Sequence, residues 1–372
     1  MLRVSRRTIA LTLSLVAGLT TTLSGAAAMS VRKDMTPPRP VSLCQPVAPG
    51  AGEQNASAQK ILAEAEKHLG DQPHALPHVH TEGTLPHQGT RDESIAAEKD
   101  WPLMRQAALA WRLSADPRYL QQVNDYLAAW ASTYQPDFNP IDETNLDGLI
   151  DAYVLASNGL HPETRDATRA LLRKLGNGYI ERIQQFHGQQ LHEPRRGTTI
   201  NNWQSHRVKL VTMVAAALGD TAMLNTARVL FQQQVADNIL PDGSVIDFKE
   251  RDALHYVVYD LQPLVQAALA AKPFDSGGDW LRHTAPGGAS LGKALDWLQP
   301  YAEGQRSHQE FVHTSVKFDL DRARVGEAGY SGLWDPKTSS TLYWLAAQLD
   351  GRYLPVAQQL APQPPAWIGA CH

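Results

Sequence analysis

Cysteine is nearly absent: Cys44 and Cys371 are the only two in 372 residues. So few thiols exclude a disulfide-dense scaffold and a thiolate zinc cluster. In an oxidising compartment the pair is free to form one bond, joining the two ends of the mature chain. Basic excess is also missing. The net charge is −4, which argues against nucleic acid as a partner. No Gly-x-Ser-x-Gly elbow, phosphate loop or dinucleotide fingerprint occurs, so serine hydrolase and nucleotide chemistries lose support. Beyond the N-terminus no apolar run reaches the roughly 18 residues a membrane span needs.

The N-terminus itself is distinctive. Arg3, Arg6 and Arg7 precede an apolar run from Thr8 to Leu23, and Ser24-Gly25-Ala26-Ala27-Ala28 closes it. This pattern predicts a cleaved signal peptide over 1–28 and a periplasmic or secreted protein. Ser5-Arg6-Arg7-Thr8 also resembles a twin-arginine signal. Residues 29–55, rich in proline, glycine and polar groups, read as an extended leader. Residues 56–372 read as one domain.

From Ala56 onward helix follows helix. Apolar residues recur at three-four spacing over Gln59–Leu69, Ser94–Leu113, Pro117–Tyr134, Leu146–Ala156, Pro162–Phe186, Asn201–Leu218, Thr221–Ala236, Asp252–Ala271, Ser290–Tyr301, Ser339–Gln348 and Val356–Leu360. Only Val245-Ile246-Asp247-Phe248 reads as a short strand. Antiparallel helix pairs in a chain of this size predict an all-α fold, an (α/α) toroid or barrel of about six to seven helical hairpins.

Chemistry concentrates in three segments. In the first, Asn201-Asn202-Trp203-Gln204-Ser205-His206-Arg207 opens an apolar helix. A helix N-terminus crowded with hydrogen-bonding groups suits an anionic ligand. In the second, Arg251, His255 and Tyr259 are spaced four apart, which predicts one stripe on one helix, with Tyr256 beside it. Arginine suits a carboxylate, and a tyrosine near cations can take or give a proton. The third is the polar loop from His78 to Pro86, with His80 and then Arg91 expected to reach inward as a substrate cover. Asn145 opens a further helix, either as a cap or facing the same cleft. His74, His78 and His80 match no zinc spacing, so no metal and no cofactor are expected.

Three of these features resemble the alginate lyase superfamily of polysaccharide lyases: Asn201-Asn202 at a helix start, Arg251 to Leu264 with Ala253-Leu254-His255-Tyr256 and Tyr259, and His80-Thr81-Glu82-Gly83. The resemblance covers roughly residues 60 to 350. Where familiar members read Asn-Asn-His, this chain has Trp203, and His206 lies one turn later. The family's arginine before Ala-Leu is displaced by Asp252, with Arg251 preceding it. The resemblance implies β-elimination on a polyuronate, either mannuronan or glucuronan. It implies Tyr259 as proton acceptor and donor, and Asn202, His206 and Arg251 as carboxylate-neutralising groups. Asn201, Trp203, His80, Arg91, Asn145, His255 and Tyr256 are then substrate-binding candidates. The expected partner is an anionic polysaccharide, met by a monomer or homodimer. Two other functions fit the same segments. One is an inverting glycoside hydrolase, which needs two carboxyls roughly 6.5–9.5 Å apart. The other is a non-catalytic polysaccharide-binding protein.

Overall fold

A computed structural model describes residues 56–189, 197–274 and 279–371. The expected signal peptide, the expected leader and Cys44 lie outside these residues; Cys371 is disulfide-bonded. Among the described residues there is no strand, and β-type pairing is confined to two isolated bridges, Ile239 with Val245 and Gln309 with Leu333. No described helix is long and apolar enough to cross a membrane.

The longer helices form two layers. An inner series runs through α3 (Asp100–Ser114), α5 (Asp147–Ala156), α7 (Asn202–Leu218), α10 (Leu254–Ala271) and α14 (Ser340–Leu349), each packed on the next. Outer helices α4 (Pro117–Thr133), α6 (Pro162–Gln189), α8 (Thr221–Asn238), α12 (Leu291–Ala302) and α15 (Leu354–Leu360) back onto them. This is the α/α toroid arrangement. The remaining helices are α1 (Ala56–Lys67), α2 (Arg91–Glu98), α9 (Ile246–Arg251), α11 (Asp279–Arg282), α13 (Lys317–Arg324) and α16 (Ala366–Gly369). Of these, α1 packs on α3 and α16.

Local sequence explains the boundaries. Asp116 caps α4 by accepting the Arg118 N–H at 2.9 Å, with Pro117 at the first helical position, where its missing N–H costs nothing. Gly219, at φ 63°, ends α7 in the left-handed conformation that glycine adopts most cheaply. Asp220 then caps α8 through the Met223 N–H at 3.0 Å. Layer spacing is equally specific. A Cβ at Gly148 of α5 would sit 2.6 Å from the Trp101 carbonyl oxygen, so only glycine lets α3 and α5 approach this closely.

α7 is the centre of the fold. Every residue on it except Trp203 is buried. Its polar residues must therefore find partners inside the protein. Ser205 donates to Asp260 at 2.6 Å, Arg207 to the Thr198 carbonyl at 2.6 Å, and Lys209 to the Thr144 carbonyl.

Three sequence expectations give way here. The helix expected over Ser94–Leu113 is two helices, breaking at Lys99. The strand expected at Val245–Phe248 is the start of α9, because only Val245 bridges to Ile239 and no partner strand extends the pairing. The helix expected from Asp252 starts at Leu254. Asp252 has φ 49°, and this left-handed residue ends α9 before α10 begins.

Candidate active site

A cavity of about 380 Å³ opens where α2, the 3₁₀ turn Thr144–Leu146, α7, α10 and α13 converge. Asn202, Trp203, Arg251, His255, Tyr256 and Tyr259 line it, together with Arg91 and Asn145. Most of the residues singled out in the sequence therefore meet in one place. A second chamber of about 230 Å³ shares Thr144, Asn145, His255 and Tyr259 with the first and adds His206, Lys209 and Gln266.

Tyr259 stands between the two chambers. Its phenol oxygen lies 2.8 Å from Thr144 Oγ1. The Thr144 hydroxyl also reaches the carbonyls of Pro140 and Ile141, at 3.0 and 2.9 Å, which anchors it beside the phenol. Burial pushes Tyr259 up to about 12, with the Thr144 hydrogen bond opposing. The resting residue is thus a protonated phenol, not one ionised by neighbouring cations.

The turn that carries Thr144 is pinned by two adjacent carboxyls. Asp142 gathers the preceding loop, accepting the N–H groups of Thr81 at 2.8 Å and Glu82 at 2.7 Å. Glu143 is buried and accepts the Tyr134 hydroxyl at 2.7 Å and the Tyr179 hydroxyl. Burial pushes Glu143 up to about 8. These two residues fix the loop; neither lines the cavity.

α7 delivers Asn202 through its cap. Asn201 accepts the Trp203 N–H at 3.1 Å and does not line the cavity. Asn202, one residue on, does line it, and hydrogen bonds to the buried Asp247 hold its position. His206 is buried, packs its ring 4.4 Å from that of Tyr259, and lines the second chamber instead of the first. Burial, then the charge of Lys209, holds it well below its usual value, so it is neutral. Pro263 lies four residues after Tyr259 and has no N–H for the Tyr259 carbonyl. That freed carbonyl favours a proton on His206, although neither ring nitrogen makes a hydrogen bond of normal geometry.

The single stripe of Arg251, His255 and Tyr259 is not what forms. Arg251 ends α9, whereas His255 and Tyr259 belong to α10, because Asp252 breaks the helix. The fold still brings all three to the cavity. Arg251 pairs with the buried Asp319, Nε to Oδ2 at 2.9 Å, and its guanidinium covers the Tyr256 ring at 3.4 Å. Burial, then Arg251 and Arg322, bring His255 down to about 4. Glu310 caps α10 from a distant loop, accepting the Leu254 and His255 N–H groups at 2.8 and 3.0 Å.

His80 is not part of the lining. Its ring turns to Asp142 at 3.0 Å with half its side-chain surface exposed, while Thr81, Glu82 and Gly83 face the cavity. Asn145 lines the cavity and does not cap α5, which begins without a side-chain cap. Arg91 reaches the cavity with its guanidinium on Glu327 at 3.0 Å. Sequence reasoning missed Glu98, Thr144, Arg322 and Tyr330, all of which line the site. Arg322 donates to the Tyr330 hydroxyl and lies 4.7 Å from the Phe318 ring centroid. The four-residue spacing of Phe318 and Arg322 on α13 was the available signal.

Residues 48–308 match the alginate lyase family. The chain belongs to the alginate lyase family, and is a polysaccharide lyase. One solved structure agrees in fold, and a second is similar over most of its length. An alginate lyase from Bacteroides ovatus, 17% identical, aligns over 83% of this chain and 90% of its own length with a TM-score of 0.55. Alginate lyase A1-III from Sphingomonas species A1, 14% identical, aligns over 78% of this chain and 89% of its own length with a TM-score of 0.48. No curated protein matches the sequence. Glu82 and Glu98 are carboxyls that line the cavity, whereas four others near its lining residues in sequence serve structural contacts. Asp142 and Glu143 hold a loop, Asp247 holds Asn202, and Asp252 accepts the His313 N–H at 2.8 Å.

Proposed function

We propose that this family member is an exported lyase that cleaves a polyuronate, poly-mannuronate or glucuronan, by β-elimination at the Tyr259 cavity. The observation that carries this reading is the convergence of Asn202, Arg251 and Tyr259 on one cavity large enough for sugar units. In the reaction, C5–H and C4–O break and a C4–C5 double bond forms. The C5 proton is acidic enough to leave only when the adjacent carboxylate is neutralised. Asn202 and Arg251 supply that neutralisation as fixed donors, with Arg322 adding charge from the same wall. Tyr259 as phenolate accepts the C5 proton and returns one to the departing glycosidic oxygen. Thr144 aims the phenol oxygen. His206, neutral and packed against the Tyr259 ring, acts through that ring. Trp203 offers an aromatic face to a sugar.

The test is to incubate the purified protein with a panel of polyuronates and follow ultraviolet absorbance. An elimination product carries a conjugated double bond and absorbs; a hydrolysis product does not. Reducing ends that appear without absorbance would overturn the reading. Export follows from the arginine-led apolar start, and an intact Met1 on secreted protein, read by mass spectrometry, would overturn it.

A further inference from the structure

Three arginines reach the cavity, and each shares its charge with a protein carboxylate. Arg91 and Arg322 share Glu327, at 3.0 and 3.4 Å, and Arg251 is paired with Asp319. Two lining carboxyls, Glu82 and Glu98, would repel an anionic sugar if both were charged. Glu98 ends α2 and is partly buried. Its Oε1 is shielded from solvent and meets no hydrogen-bond partner among the described residues, and the nearby Arg91 turns its guanidinium to Glu327 instead. A carboxyl with a shielded oxygen and no paired cation is favoured in its protonated form.

We infer that Glu98 contacts the substrate as the neutral acid and gives its carboxyl hydrogen to the uronate carboxylate, which makes it a specificity-determining residue for acidic sugars. The inference rests on the polyuronate reading above. An O–H donated to a carboxylate is a charge-assisted bond, shorter and about twice as strong as a neutral one. It also adds no charge that would need a counter-ion once the product has left. A permanent cation at this position would hold product as firmly as substrate.

The surroundings agree in sign. Burial, then the charge of Asp142, pushes Glu98 up to about 8, with Asn145 and Arg91 opposing. Arg91 lies on its own helix, Asp142 and Asn145 come from the loop and turn before α5, and Tyr259 faces it from α10. The acid form therefore holds at neutral pH and is lost as pH rises through about 8. Binding should weaken in the same direction.

The experiment is calorimetric titration of a mannuronate oligosaccharide and, separately, a glucuronate oligosaccharide. The Tyr259→Phe background is used so that nothing is consumed. With Glu98 intact, affinity should be level below neutral pH and fall toward tenfold per unit above about 8. In Tyr259→Phe/Glu98→Gln, which keeps an N–H donor but cannot ionise, affinity should be level throughout. In Tyr259→Phe/Glu98→Ala, it should be weaker than the parent below about 8 and level throughout. An unchanged alkaline fall in the Gln variant, or parental affinity in the Ala variant, would overturn the role of Glu98. The lyase reading is judged separately, by ultraviolet product from the unsubstituted protein.

Discussion

The buried carboxylate of Asp247 accepts the backbone N–H of Asn202 at 2.7 Å and also the side-chain amide of the same residue. A carboxylate on that side fixes which end of the Asn202 amide points at it. The second amide hydrogen is left for the cavity. Burial raises Asp247, and the two Asn202 donors oppose that rise.

Asp247→Asn should therefore lower kcat about tenfold to a hundredfold, with the protein still folded, because a misaimed donor near the reacting carbon costs on that order. Steady-state kinetics beside a melting curve checks this. Parental kcat in a folded variant would remove Asp247 from any positioning role.

Tyr259→Phe keeps the ring against His206 and loses only the oxygen on Thr144. Turnover should drop by at least about a hundredfold while KM changes little, as for a group that acts in the transition state. Thr144→Val should give a smaller loss, since the phenol remains but is no longer aimed. If Tyr259→Phe releases unsaturated sugar at the parental rate, Tyr256 is the next group to test.

The phenol near 12 fixes the sign of the kcat profile. If Tyr259 must be ionised to accept the proton, kcat rises about tenfold per pH unit through the neutral and mildly alkaline range. Binding, measured separately, moves the other way above about 8 through Glu98. A kcat that is flat from neutral to alkaline pH would mean that Tyr259 serves only as the acid and that another group takes the C5 proton.

Arg251→Ala should raise KM and lower kcat together, because a carboxylate partner is lost in both ground and transition states. It also strands Asp319 in the interior, which costs about 3–5 kcal/mol when one member of a buried pair is removed. Arg251→Ala/Asp319→Asn should recover thermal stability without recovering turnover. Recovery of both would make Arg251 a structural residue.

Much of this was legible in the chain. The helices were written in their caps and three-four spacing, and the Asn201-Asn202 and Tyr259 segments do share a cavity. What escaped depends on backbone geometry or long-range pairing. Asp252 looks like one more helical residue until its left-handed conformation separates Arg251 from His255. His80 looks like an inward ligand, but Asp142, more than sixty positions on, takes its ring. Glu98 ends a mixed, solvent-like helix, and nothing local reveals that a cavity wall will close over its oxygen. Arg322 sits on α13, a short polar helix that carries no core signal of its own.

Pro263 and Glu310 together give α10 an unequal anchorage. The proline removes the rung that would tie the Tyr259 carbonyl to the next turn, while Glu310 clamps the helix start to the loop around residues 308–311. The turn bearing His255 is thus tied to that loop as well as to its own helix. The loop becomes a mechanical handle on the site. A crosslink, a graft or an inserted label there would act on the position of the Tyr259 phenol from outside the cavity and leave every cavity-lining side chain untouched.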